Sequence, residues 1–139
     1  MTQSINPKIW GSTLWSSMIY VALGYPKSSP STQMKQQYDS YYRALTNVLP
    51  CESCQQNYQK HLAQYPPNLE DQSTLLNWLL TIHNETLKAQ NRSPIPDIQS
   101  FVNKYTSSLS SSFSLSPLPI FILCLIVAII IYYFYTRNN

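Results

Sequence analysis

Through most of the first hundred positions, apolar residues recur at helical spacing, and no stretch alternates convincingly enough to be a strand. Trp10, Leu14, Met18 and Val21 form one stripe, with Trp15, Ile19 and Ala22 beside it. Asn6 stands as the N-cap of this helix, Pro7 takes its first position, and Gly24 and Pro26 close it. Met34, Tyr38, Tyr41, Leu45 and Val48 predict a second helix over 32–49, stopped by Pro50. A third begins around Cys51 and runs to about Gln64, before Pro66-Pro67, and a fourth covers about Asp71 to Gln90. A short fifth is expected over 96–105. The fold class is therefore all-α, a four-helix bundle plus a short fifth helix, filling a domain of residues 1–105.

The pattern changes character after that. Residues 106–117, "TSSLSSSFSLSP", read as a Ser-rich tether. Leu118 to Tyr135 then run for eighteen residues without a charge. As a helix this segment reaches about 27 Å, close to the thickness of a bilayer's hydrocarbon. Tyr132, Tyr133 and Tyr135 suit an interfacial belt, and 136–139 form a short tail carrying Arg137. A C-terminal transmembrane helix is expected, single-pass and tail-anchored, with no N-terminal signal peptide and the helical domain on the cytosolic side. The sequons at Asn84 and Asn91 become acceptors only if the domain is lumenal. Cys124 lies within the span and receives no chemistry.

Composition narrows the function classes. The chain has 139 residues but only 2 glycines, which argues against a turn-rich all-β domain and against a glycine-rich phosphate loop. Its net charge of +3 is mild and no Lys/Arg cluster accompanies the aromatic residues, so nucleic acid is not an expected partner.

The chemistry concentrates in "LPCESC", where Cys51 and Cys54 are spaced Cys-x-x-Cys. A thioredoxin-like site needs a strand before the pair, and here an amphipathic helix precedes it. A zinc site needs two further ligands, and the available His61 and His83 give no familiar finger spacing. A purely structural disulfide would close too small a loop to stabilise much. A redox dithiol at a helix N-terminus is the remaining reading, because the helix dipole there favours the reactive thiolate. Such a pair has to hand two electrons onward, and with no second pair in the chain it needs a cofactor or a partner.

Three motifs in order, Trp10-Gly11-x-x-x-Trp15, Leu49-Pro50-Cys51-x-x-Cys54, and His83-Asn84 five residues after Trp78, make the chain resemble the Erv/ALR sulfhydryl oxidases over roughly residues 6–100. The opening "NPKIWGSTLWSSMI" looks most like the short members found in large cytoplasmic DNA viruses. The resemblance implies FAD held inside the bundle beside the cysteine pair. It implies Cys54 as the flavin-proximal cysteine and Cys51 as the interchange cysteine that a thiol-containing client or relay protein attacks. Electrons would pass through flavin to molecular oxygen, giving hydrogen peroxide. Gly11 and Trp15 match positions where the first helix meets the flavin, and Trp78, His83 and Asn84 match the adenine side, with Leu87 and Lys88 one turn on. Two departures stand out: Leu87 replaces the second Asn of the family's His-Asn motif, and Ile19 stands where many members have His.

The expected function is thus a FAD-dependent thiol oxidase that forms disulfides in partner proteins during virion assembly. It is expected as a homodimer on a virion or host endoplasmic-reticulum-derived membrane. The alternative is a membrane-anchored helical adaptor whose cysteines bind zinc or are inert.

Overall fold

In the computed structural model, which describes residues 4–107 and 133–137, all five expected helices form in the N-terminal unit. α1 (Pro7–Leu23) starts where Asn6 accepts a hydrogen bond from the Lys8 N–H and Pro7 needs no intrahelical donor. Gly24 closes it in the right-handed region (φ −80°, ψ −7°), so its freedom to turn left-handed is not used. α2 (Thr32–Val48) is capped by Ser31, and α4 (Gln72–Ala89) by a reciprocal box between Asp71 and Thr74. α3 (Glu52–Gln64) has Cys51 as its N-cap. α5 (Ile98–Thr106) begins where Asp97 accepts the Ser100 N–H at 2.8 Å.

α1 packs on α4 and α5, and α3 lies against both α2 and α4. Ile19, Ala22, Tyr42, Leu75, Leu79, Ile82 and Phe101 are fully buried between them. The core includes large aromatics whose polar ends are tied to backbone. Tyr42 Oη donates to the Met18 carbonyl and Tyr58 Oη to the Tyr42 carbonyl, both at 3.1 Å. Burial pushes both phenols well above the usual range, so they remain donors.

α2 departs from its expected phase. The expected stripe ended Tyr41, Leu45, Val48, whereas the buried line is Tyr42, Leu45 and Leu49, with Val48 66% exposed. A helix at 3.6 residues per turn accepts either three or four as the step. The turn into Pro50, which draws Leu49 inward, selects the second line.

The predicted transmembrane helix, Leu118–Tyr135, lies outside the described residues except for 133–135, which are helical together with Thr136 and Arg137. The tether is outside them from residue 108 onward. Among the described residues no helix is long and apolar enough to cross a membrane.

Candidate functional site

The cysteine pair sits at the junction of α2 and α3. Pro50 cannot continue α2 and disfavours helical backbone at Leu49, which is extended (φ −60°, ψ 133°). Cys51 follows, also extended (φ −161°, ψ 114°), and α3 begins at the next residue. The Cys51 sulfur turns back on the first turn, accepting from the Cys54 N–H at 3.3 Å, with Ser53 Oγ also at 3.3 Å. Cys51 and Cys54 are joined in a disulfide. The junction is held from outside by the Ile5 N–H, which donates to the Pro50 carbonyl at 2.7 Å.

The two cysteines face different surroundings. Cys51 is 7% exposed, while Cys54, one turn into α3, is half-buried and opens on a cavity of about 210 Å³. α1 contributes Pro7, Trp10, Leu14, Trp15 and Met18 to its wall, and Leu45 and Leu49 come from α2. α3 adds Asn57, Tyr58 and His61, and the end of α4 adds Thr86, Ala89 and Gln90. Gly11 is half-buried on α1, and a Cβ placed on it would meet nothing within 4 Å. Tight packing between helices therefore does not account for this glycine.

A second cluster forms around His83. Trp15 stands edge-on to its ring at a centroid distance of 4.7 Å, and Phe101 and Tyr105 of α5 complete the surroundings at 5.0 and 5.4 Å. His83 Nε2 and Tyr105 Oη are hydrogen-bonded at 2.7 Å. Nδ1 is buried without a hydrogen-bond partner among the described residues. Burial first, and then the charges of Lys104 and Arg92, push the imidazole pKa down to about 4, so it is neutral at physiological pH. Trp15 touches both places: it lines the cavity beside Cys54 and packs on His83.

The other predicted site residues are placed elsewhere. Trp78 is buried against Tyr42, donates Nε1–H to the Tyr65 carbonyl at 2.8 Å, and borders a separate groove with Gln64 and Pro66. Asn84 spends both ends of its amide on Ile95, accepting the N–H at 2.8 Å and donating to the carbonyl at 2.9 Å, and so ties the segment before α5 onto α4. Leu87 is buried, and its carbonyl accepts the Gln90 and Arg92 N–H groups. Lys88 is exposed, 3.9 Å from Glu85. Asn57 on the cavity wall and Tyr105 beside His83 were not foreseen, nor were the charges of Arg92 and Lys104 acting on His83, while His61, weighed only as a zinc ligand, lines the cavity. Cys54, Asn57, Tyr58 and His61 follow one helical face, so His61 was visible as a neighbour of Cys54 two turns on. Burial lowers the His61 pKa, partly offset by the Glu85 carboxylate. No group of three His, Cys, Asp or Glu side chains placed to hold a metal occurs among the described residues.

The family model described as "Erv1 / Alr family" matches residues 12–106, two thirds of the chain, and includes the cysteine pair, the His83 cluster and the cavity wall except Pro7 and Trp10. The chain belongs to the Erv1 / Alr family. A probable FAD-linked sulfhydryl oxidase of Acanthamoeba polyphaga mimivirus is 36% identical over 83 residues, covering 58% of this chain and 57% of that protein. The mitochondrial FAD-linked sulfhydryl oxidase ERV1 of Saccharomyces cerevisiae is 26% identical over 78 residues, covering 56% of this chain and 41% of its own length. The chain thus aligns with about half the length of these curated relatives. The fold is that of the yeast Erv1 core, with a TM-score of 0.66 at 20% identity over 75% of this chain and 86% of that one. The FAD binding domain of yeast Erv1 superposes with a TM-score of 0.67 at 20% identity, over 74% and 96% of the two chains.

This Erv1 / Alr chain fits a flavin nucleotide on its own observations. A largely apolar, aromatic-lined cavity meets the disulfide, open space stands at Gly11, and Trp15 carries the cavity wall on to the buried His83 ring.

Proposed function

We propose that the chain is a FAD-dependent sulfhydryl oxidase that makes disulfides in client proteins. The observation that carries this reading is the Cys51–Cys54 disulfide at the start of α3, with Cys54 opening on an aromatic-lined cavity. A client thiolate attacks Cys51 Sγ, the Cys51–Cys54 bond breaks, and Cys54 Sγ is released as a thiolate toward the cavity. Because Cys51 is only 7% exposed, the client offers its cysteine on a narrow, extended segment rather than a broad surface. Gly11, Trp15 and the wall of the cavity would hold the ring system. His83 and Tyr105 would hold the nucleotide end, with Arg92 and Lys104 supplying positive charge for its phosphates. Bound FAD supplies a two-electron acceptor that molecular oxygen can reoxidise, with hydrogen peroxide as product.

The same reading includes a homodimer, a single-pass C-terminal anchor over 118–135, and an oxidase domain on the cytosolic side of a virion or reticulum-derived membrane, acting in virion assembly. What supports the anchor is the uncharged run from Leu118 to Tyr135. The purified protein is expected to be yellow, absorbing in flavin's usual band near about 450 nm. Cys51→Ser and Cys54→Ser should each abolish oxygen consumption with a dithiol. A folded, colourless protein carrying stoichiometric zinc would overturn the reading in favour of a metal-binding adaptor.

A further inference from the structure

Two donors stand over the Cys51 sulfur, and only one is backbone. The Cys54 N–H is fixed by the helix. The Ser53 hydroxyl, at the second position of α3, is 3.3 Å from the same sulfur and has no other hydrogen-bond partner among the described residues. Opposite a disulfide sulfur, a weak acceptor, this contact contributes little. Opposite a thiolate it becomes a charge-assisted hydrogen bond, roughly twice as strong as a neutral one.

We infer that Ser53 is a positioning residue that stabilises Cys51 as a leaving group in the second half of client oxidation. The inference rests on the thiol-oxidase reading. In the first half the client thiolate bonds to Cys51 Sγ and Cys54 leaves as thiolate. In the second, the client's other thiolate attacks the client sulfur of the mixed disulfide. That closes the client's own disulfide and expels Cys51 Sγ with the electron pair of the broken bond. Two electrons have then moved from client to cysteine pair, and the two thiol protons have gone to solvent. The Cys51–Cys54 disulfide that the structure shows is the oxidant: the first half breaks it, and the mixed disulfide carries its oxidising equivalent into the second.

Exchange quickens as the leaving thiol's pKa falls, so a donor aimed at Cys51 accelerates this release. No charged side chain among the described residues is paired with the sulfur. Glu52 lies on the same turn, where its carboxylate opposes a thiolate, and the nearest cation along α2, Arg43, is held by Asp39 at 2.7 Å. On α3, Tyr58 and His61 are two and three turns away and both are uncharged at neutral pH. Beside the dipole of α3, which acts on any residue at this cap, the two hydrogen-bond donors are the specific means of holding charge on Cys51.

The test is the pH dependence of alkylation of Cys51 in the reduced full-length protein, followed residue by residue by mass spectrometry, for wild type, Ser53→Ala and Ser53→Thr. Ser53→Ala should raise the Cys51 thiol pKa by about one unit, a tenfold loss of thiolate at lower pH. It should also make the pair less oxidising against glutathione by up to about tenfold, or about 30 mV. In turnover, kcat should fall about three- to tenfold with KM for the dithiol little changed. Ser53→Thr keeps the hydroxyl and should restore the thiol pKa. An unchanged Cys51 titration in Ser53→Ala, or a shift that Thr does not reverse, overturns the inference. Alkylation and the glutathione equilibrium need neither flavin nor oxygen, so failure of the oxidase reading would show separately, as missing flavin and missing oxygen consumption.

Discussion

His83 makes stability depend on pH in a way that can be isolated. Its folded pKa of about 4 lies below the ordinary value of 6.5, because the ring is buried and faces the charges of Lys104 and Arg92. The unfolded chain therefore binds a proton that the folded chain refuses. The resulting penalty is absent above pH 6.5 and grows as pH falls toward 4. At pH 5 the unfolded state is favoured by a factor of about 30, or about 2 kcal/mol, and the full shift is worth about 3 kcal/mol. The residue is 2% exposed, so solvent screening relieves little of this. For a domain of this size, about 2 kcal/mol corresponds to roughly 10 °C in melting temperature. The assay is thermal unfolding of flavin-free protein by circular dichroism at pH 8 and pH 5, for wild type and His83→Gln. The variant costs stability at both pH values, but only wild type should carry the extra fall of about 10 °C between them. His61, whose pKa is also lowered, contributes equally to both proteins and cancels. Asp97, held below the usual carboxylate range by its bonds to Ser100, loses its contribution only below the window. An equal fall in both proteins would refute the assignment of this penalty to His83.

Other substitutions separate cofactor contacts from scaffold. Gly11→Ala should raise the stability of flavin-free protein by about 0.5–1 kcal/mol, since the helix gains and the new Cβ meets nothing. Gly11→Leu should leave the fold intact but lower flavin content, read as absorbance per folded protein; full flavin loading would remove Gly11 from the cofactor site. Asn84→Ala removes both bonds to Ile95 and should cost about 2 kcal/mol in urea unfolding. A loss below about 0.5 kcal/mol would show that the segment before α5 is held by other contacts. Trp78→Phe loses the bond to the Tyr65 carbonyl and should cost about 1–2 kcal/mol while the folded fraction keeps its flavin. Loss of flavin would instead place Trp78 on the cofactor.

The helices were legible because their ends are written in single residues. Asn6-Pro7 and the Cys51 position after Leu49-Pro50 fixed two starts, and Asp71 a third. Spacing alone does not fix helix phase, which is why α2 buries Tyr42 and Leu49 where Tyr41 and Val48 were expected. The motif order grouped Trp78 with His83, yet five residues on a helix turn through about 140°, and the two side chains face different neighbours. Arg92 and Lys104 left no local signal. Arg92 is brought near His83 by the turn that closes α4, where its N–H bonds the Leu87 carbonyl, and Lys104 by α5 folding back onto α1 and α4, with Asn84 fastening the segment before it.

The difference between the two cysteines comes from the cap. An N-cap residue lies off the helix, so its side chain folds back over the exposed N–H groups of the first turn. A residue three positions later is already helical and projects from the side of the cylinder. Cys-x-x-Cys placed at a helix start therefore gives one sulfur that is held by donors and one that faces whatever packs on the helix. In this chain, what packs there is the α1 surface carrying Trp15 and Leu14, with a cavity between. Pro50 fixes where the helix begins, and with it which cysteine takes which place. Moving the helix start one residue later would put Glu52 at the cap and turn both sulfurs away from their present surroundings. The asymmetry that holds one sulfur under donors and turns the other toward the cavity is thus set by the proline that ends α2, before either cysteine is reached.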